Sequence, residues 1–291
     1  MSLIQPLILK AEHGYASFLR FSLVNHATLA TCLAELPKVY QLDDSVLGFG
    51  QPLLARLEVE IPGFKAASSM QGINRISPAN QDDLWLRVSG SDPGVVMLRV
   101  QQWLAALLPT FSLNEQLEGF CHREGRDLTG YEDGTENPDE TEAPDVVAMT
   151  GDKGIAGSTM LAVQKWQHQL DHFNSLSNQQ QDDIIGRRKS DNVEFPESPA
   201  FAHVRRTAQE SFSPEAFMLR RSLPWIKGQD CGLNFVCFAS SLYPFEVQLK
   251  RMLGLEDGIE DGLFQFSRPL TTGYYWCPPI DGEQLDLSRL S

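Results

Sequence analysis

The chain has no apolar run approaching the roughly 18 residues that a bilayer-crossing helix needs, which excludes a transmembrane helix. Basic charge is scarce. Only 24 Lys and Arg stand against 38 Asp and Glu, for a formal net charge of -14, which argues against a protein whose main task is to grip nucleic acid or an anionic membrane surface. Cysteine is sparse too: Cys32, Cys121, Cys231, Cys237 and Cys277 are odd in number, widely spaced and without a Cys-x-x-Cys pair. That pattern removes zinc ribbons and redox dithiols and leaves buried free thiols as the expectation. Met1 to Leu9 lacks the basic start and apolar core of a secretory signal and carries no twin arginine. The expected location is the cytoplasm.

What is present is the composition of a globular protein, 42% hydrophobic and 21% charged over 291 residues, enough for a substantial core and more than one usual domain. Tyr15 to Val24 reads as a strand, with Asn25 capping a helix that ends near Pro37. Further strands are expected at Val46 to Phe49, Leu84 to Val88 and Gln116 to His122, with a helix started by Ser91-Asp92-Pro93. The second half repeats this order. Strands are expected at Thr159 to Gln167, Phe217 to Leu223, Gly232 to Ala239 and Tyr274 to Cys277, with helical segments within Asp171 to Arg188 and over Ser241 to Leu253. The expected class is therefore α+β, with two ferredoxin-like βαββαβ units, each an antiparallel sheet with helices, divided as residues 1–129 and 130–291.

One segment concentrates chemistry: Gly130-Tyr131-Glu132-Asp133-Gly134-Thr135-Glu136-Asn137-Pro138. Glycines permit sharp turns, so this loop can aim Asp133 into a cavity, although loop composition alone also describes an exposed acidic turn. Six carboxylates between Asp133 and Asp145 would offer oxygen ligands to calcium, but the spacing is not that of an EF-hand.

The Gly-x-x-Asp-Gly segment resembles the signature of dye-decolourising peroxidases, and its extension through Asn137-Pro138 is similar to their cytoplasmic bacterial branch. The resemblance implies haem b held in the C-terminal half, hydrogen peroxide and small aromatic donors as partners, and a homo-oligomer. Under it Asp133 is the distal acid/base, carrying a proton between the two peroxide oxygens. His203, in Ala202-His203-Val204-Arg205 about seventy residues later, matches the proximal iron ligand; a lone histidine in that setting is otherwise more often structural. Arg220, in Arg220-Arg221-Ser222-Leu223-Pro224, matches the distal charge stabiliser, with Ser222 on the same strand face and Arg221 on the opposite one as a solvated residue. Arg187, in Ile185-Gly186-Arg187, matches a propionate partner, with a basic helix end as the alternative. Asp261 resembles the acidic partner of the proximal imidazole, a role Glu260 or Glu256 could also fill. A binding, storage or iron-extracting protein on the same scaffold is the second reading; retention of both Asp133 and Arg220 speaks for peroxide chemistry. His168 and His172 are read as surface residues, and the five tryptophans as core anchors.

Overall fold

The computed structural model describes residues 3–10 and 14–290. The ends of the two expected units, residues 1, 2 and 291, and residues 11–13 lie outside the described residues. The first unit is built from β1 (Tyr15–Leu23), α1 (Leu29–Val39), β2 (Ser45–Gly50), β3 (Leu84–Gly90), α2 (Pro93–Leu107) and β4 (Phe111–Phe120). Asn25 does cap, but it caps a 3-10 turn over His26–Thr28 ahead of α1, and α1 runs two residues past Pro37. Asp92 caps α2 by accepting the Val95 N–H at 2.9 Å, with Pro93 in the first turn.

The second unit begins with β5 (Thr159–His168), followed by α3 (Leu170–Ser175), α4 (Asn178–Ile185) and the single turn α5 (His203–Arg206). It continues with β6 (Leu219–Arg220), β7 (Leu223–Lys227), β8 (Asp230–Ala239), α6 (Tyr243–Met252) and β9 (Ser267–Cys277). The strand expected over Phe217 to Leu223 is thus broken. At the break the Ser222 hydroxyl, rather than a strand carbonyl, accepts the Val236 N–H at 3.3 Å.

The spatial order is β2-β3-β1-β4 in the first half and β7-β8-β5-β9 in the second. Each half therefore runs second, third, first, fourth strand, the antiparallel ferredoxin-like arrangement. The halves do not stand apart. Phe49 and Gly50 of β2 pair with Trp276 and Tyr275 of β9, and Gly119 of β4 pairs with Trp225 of β7, so eight strands close into a ring.

One apolar cluster, including Phe18, Trp85, Trp225, Phe238 and Tyr275, lies among the strands of both halves. A larger one joins the sheet to its covering helices through Leu36, Trp103, Leu249 and Met252. All five tryptophans are buried, as expected. The cysteines are free, but Cys121 and Cys231 are only half-buried, because their strands end near the loops and not in the core.

Gly232 is required where β8 meets β5. A Cβ there would sit 1.9 Å from the Trp166 carbonyl oxygen, which already accepts the Trp225 indole N–H at 3.0 Å. Gly232→Ala is expected to cost about 1–3 kcal/mol by forcing the two strands apart. Urea denaturation of the full chain checks this, and an unchanged midpoint would contradict the close approach.

Candidate functional site

The loop carrying Asp133 lies between the two units, and its glycines do what its composition suggests. Gly130 and Gly134 have φ of +89° and +73°, the left-handed region that side chains disfavour. The Asp133 N–H donates to the Gly125 carbonyl at 3.0 Å, fixing the residue from behind. Its carboxyl faces an internal cavity on one side and a surface groove on the other. The residue as a whole is half-buried. Desolvation pushes its proton affinity above the ordinary aspartate range, and the negative charge of Asp127 adds to this, against the opposing pull of Arg220, the Gly134 backbone and His203.

His203 opens α5 and lines the same cavity. Gly186, φ +91°, ends α4 and lets that turn approach closely, since a Cβ there would meet the Val204 side chain at 2.3 Å. Asp261 is buried with its two oxygens divided between two tasks. Oδ1 accepts the Leu263 N–H at 2.8 Å, capping the turn Gly262–Gln265, and Oδ2 accepts from His203 Nδ1 at 2.8 Å. Nε2 has no hydrogen-bond partner among the described residues and is the nitrogen left to bind a metal. The other two acids are engaged elsewhere: Glu260 accepts from the Asn74 backbone, and Glu256 pairs with Arg251.

Arg220 and Arg221 part as strand alternation requires. Arg220 lines the cavity, its backbone held on both sides by the Asn137 side chain at 2.8 and 3.1 Å. Nε and Nη2 of its guanidinium are buried without a partner. Arg221 is not the solvated residue expected. It donates to the carbonyls of Ile8 and Leu9 at 3.0 and 2.8 Å, and desolvation lowers its pKa to about 10. Ser222 lines the surface groove with Asp133 and Arg220, not the cavity.

Arg187 also stands apart from the cavity lining. Its guanidinium pairs with Glu136 and Glu194 and reaches the Asn192 carbonyl at 3.1 Å. His168 is the opposite case. It ends β5 instead of sharing a helix face with the exposed His172, and its side chain is only 7% exposed, in the cavity wall beside Asp127. The overlooked signal was strand period: Gln164, Trp166 and His168 alternate onto the cavity face. The acidic stretch after Asp133 gathers no cation site; among the described residues no three His, Cys, Asp or Glu group together to hold a metal. No helix among them is long and apolar enough to cross a membrane.

The cavity is lined from β5, β8 and α6, and the non-atom space within it and in its open mouth is about 660 Å³. Its walls are largely apolar, with Trp166, Met218, Phe235, Phe245, Met252 and Leu263, and Asp133, Arg220 and His203 are among its polar residues. A guanidinium with two buried, unused donors and an imidazole with one free nitrogen, facing one cavity, suit a ligand that carries a metal and negative charge. The sequence profile described as Dyp-type peroxidase, C-terminal, matches residues 124–282, which is more than half of the chain. The chain belongs to the Dyp-type peroxidase family. A dye-decolorizing peroxidase of Mycolicibacterium paratuberculosis is 28% identical over 219 residues, covering 73% of this chain and 62% of that protein, so the match spans less than two thirds of that relative. A putative Dyp-type peroxidase of Shewanella oneidensis superposes with a TM-score of 0.91 at 25% identity, over 100% of this chain and 98% of that one. A DypB variant of Rhodococcus jostii RHA1, in complex with heme, shares the fold at a TM-score of 0.82 and 22% identity, over 92% and 94% of the two chains.

Proposed function

We propose that this member of the family is a haem b peroxidase that reduces hydrogen peroxide and oxidises small aromatic and phenolic donors, dyes included. We read it as two ferredoxin-like units, 1–129 and 130–291, with the cofactor in the second, acting as a cytoplasmic homo-oligomer. One observation carries the functional reading: a carboxyl of raised proton affinity, a buried guanidinium with unused donors and a carboxylate-held imidazole all face one apolar cavity. The heme complex of the Rhodococcus relative supports it.

Haem b bound there would supply the redox centre linking peroxide to donor. His203 would hold its iron through Nε2, while Asp261 fixes the ring and makes it a stronger electron donor. Peroxide would arrive by the groove that Ser222 lines, which meets the cavity at Asp133 and Arg220. The Asp133 carboxylate would take a proton from one peroxide oxygen and return it to the other, which leaves as water. Nε and Nη2 of Arg220 would donate to the oxygen on which negative charge gathers. Each peroxide consumes two electrons, one from each of two donor molecules. Arg187 would reach a haem propionate only by exchanging Glu136 or Glu194 for it.

The test compares the haem-loaded full chain with His203→Ala. The native protein is expected to bleach a dye only with peroxide present, and the variant to lose the nitrogen-ligated iron spectrum together with at least about 10²-fold in turnover. Unchanged axial ligation in the variant would refute His203. Haem binding without peroxide turnover in the native protein would favour storage or iron extraction.

A further inference from the structure

Two stretches of this sequence hold no Lys, Arg, Asp or Glu, Phe21 to Ala34 and Val100 to Asn114, in a chain with 24 basic and 38 acidic residues. The fold lays them side by side. α1 and α2 run antiparallel over the outer face of the first unit's strands, and hydrogen bonds join them along their length. At one end the Thr28 and Thr110 hydroxyls lie 2.8 Å apart, further along the Cys32 thiol reaches the Ala106 carbonyl at 3.6 Å, and at the other end the Arg99 guanidinium donates to the Val39 carbonyl. Arg99 is the single charged residue of α2, and it is buried, with Asp44 and Gln102 accepting its other donors at 2.7 and 2.8 Å. The side of α2 against the strands is apolar, as a covering helix requires, through Val96, Val100, Trp103 and Leu107. Its outer side is uncharged as well. Leu98 and Val95 are 69% and 63% exposed, more than any other large apolar side chain among the described residues, and Leu108 just past the helix end is exposed too. α1 adds the exposed Ala30, Thr31 and Ala34. A helix that carries no charge on its outer side is suited to an interior, and a contiguous exposed face of this kind marks a contact surface.

We propose that this face is where two copies of the chain associate about a two-fold axis, with α2 at the centre of the contact and α1 beside it. The inference rests on the reading of the protein as a homo-oligomer and names the surface that joins the copies. Two observations select a second copy as the occupant. The first is charge: molecules that each carry a formal charge of -14 repel one another, and here they can meet without setting like charges together. The second is self-complementarity. Gly94, Leu98, Gln101, Ala105 and Leu108 are all exposed and recur at intervals of four, three, four and three, the spacing of a seam between two helices. Turned about a two-fold near Gln101, an antiparallel copy sets Leu98 against the partner's Ala105 and Leu108 against the partner's Gly94, a large residue against a small one each time. Gln101 then meets the partner's Gln101, and a primary amide both donates and accepts, so the pair satisfies itself.

Sedimentation of the full chain at rising concentration tests this. The native protein is expected to run as two copies or an even number of them. Gln101→Glu and Gln101→Lys, each alone, set like charges against one another at the two-fold and are expected to raise the dissociation constant at least about tenfold. Mixed in equal amounts, the two variants are expected to associate again, a rescue that neither misfolding nor a contact elsewhere on the surface would give. Weakened single variants without rescue in the mixture overturn the proposal. So does a native chain that stays single and instead co-sediments with phosphatidylcholine vesicles, which would hand the face to lipid. A native chain that is single at every concentration removes the homo-oligomer reading together with this contact, whereas a native oligomer that withstands both variants overturns the contact alone.

Discussion

Replacing Arg220 by leucine is expected to slow the reaction of the haem-loaded chain with hydrogen peroxide by about 10²–10³-fold, the range seen when a preorganised donor is removed from developing negative charge. The basis is geometric. Nε and Nη2 are buried with no protein partner, and the backbone that carries them is clamped by Asn137 on both sides. Donors held this way need no reorganisation when charge appears beside them. The same variant is expected to make the haem-free chain more stable by about 1–3 kcal/mol, because two buried unpaired donors are removed. Rapid-mixing kinetics and thermal melting read the two effects. A slow but destabilised Arg220→Leu would mean that Arg220 is a structural residue whose partner was missed.

The second large effect is expected at Asp133. Asp133→Asn keeps the volume and loses the proton acceptor, so the peroxide step should fall by about 10²–10⁴-fold. Its pH dependence supplies an independent reading. Desolvation raises the folded-state proton affinity of Asp133 above that of the unfolded chain, so between the ordinary aspartate value of about 4 and the raised value the folded state binds more protons. In that window stability falls as pH rises. Above it the cost is fully present, and below pH 4 it is absent. Asp133→Asn should flatten this fall, measured as urea midpoints across the window, whereas an unaltered slope would show that the carboxyl is well solvated.

Much of the scaffold was legible because alternation and capping are local. The strands at Tyr15, Leu84 and Thr159 and the Asp92-Pro93 helix start all follow from residues within a few positions of one another. Ring closure was not legible, since it depends on Phe49 meeting Trp276 and Gly119 meeting Trp225, pairs that no local pattern encodes. At the site, Asp133, Arg220 and His203 could be singled out because their motifs carry them. The direction of Arg187 could not, because its fork is claimed by Glu136 and Glu194 from different segments. His168 was missed where a strand gives way to a helix and the two periodicities disagree. The choice of Asp261 over Glu260 had a usable signal: aspartate is a good helix cap and glutamate is not, and the cap and the imidazole share one carboxylate.

The seam between β2 and β9 also sets an order in time. Its partners lie more than two hundred residues apart, Phe49 opposite Trp276, so the ring cannot close on the ribosome until β9 has emerged. Each half can zip its own strands earlier, at a smaller loop-closure cost. Until then the edge of β2 remains unpaired in the nascent chain, whereas β4 can meet β7 some forty residues earlier, so of the two short seams that join the halves the one at β2 closes second.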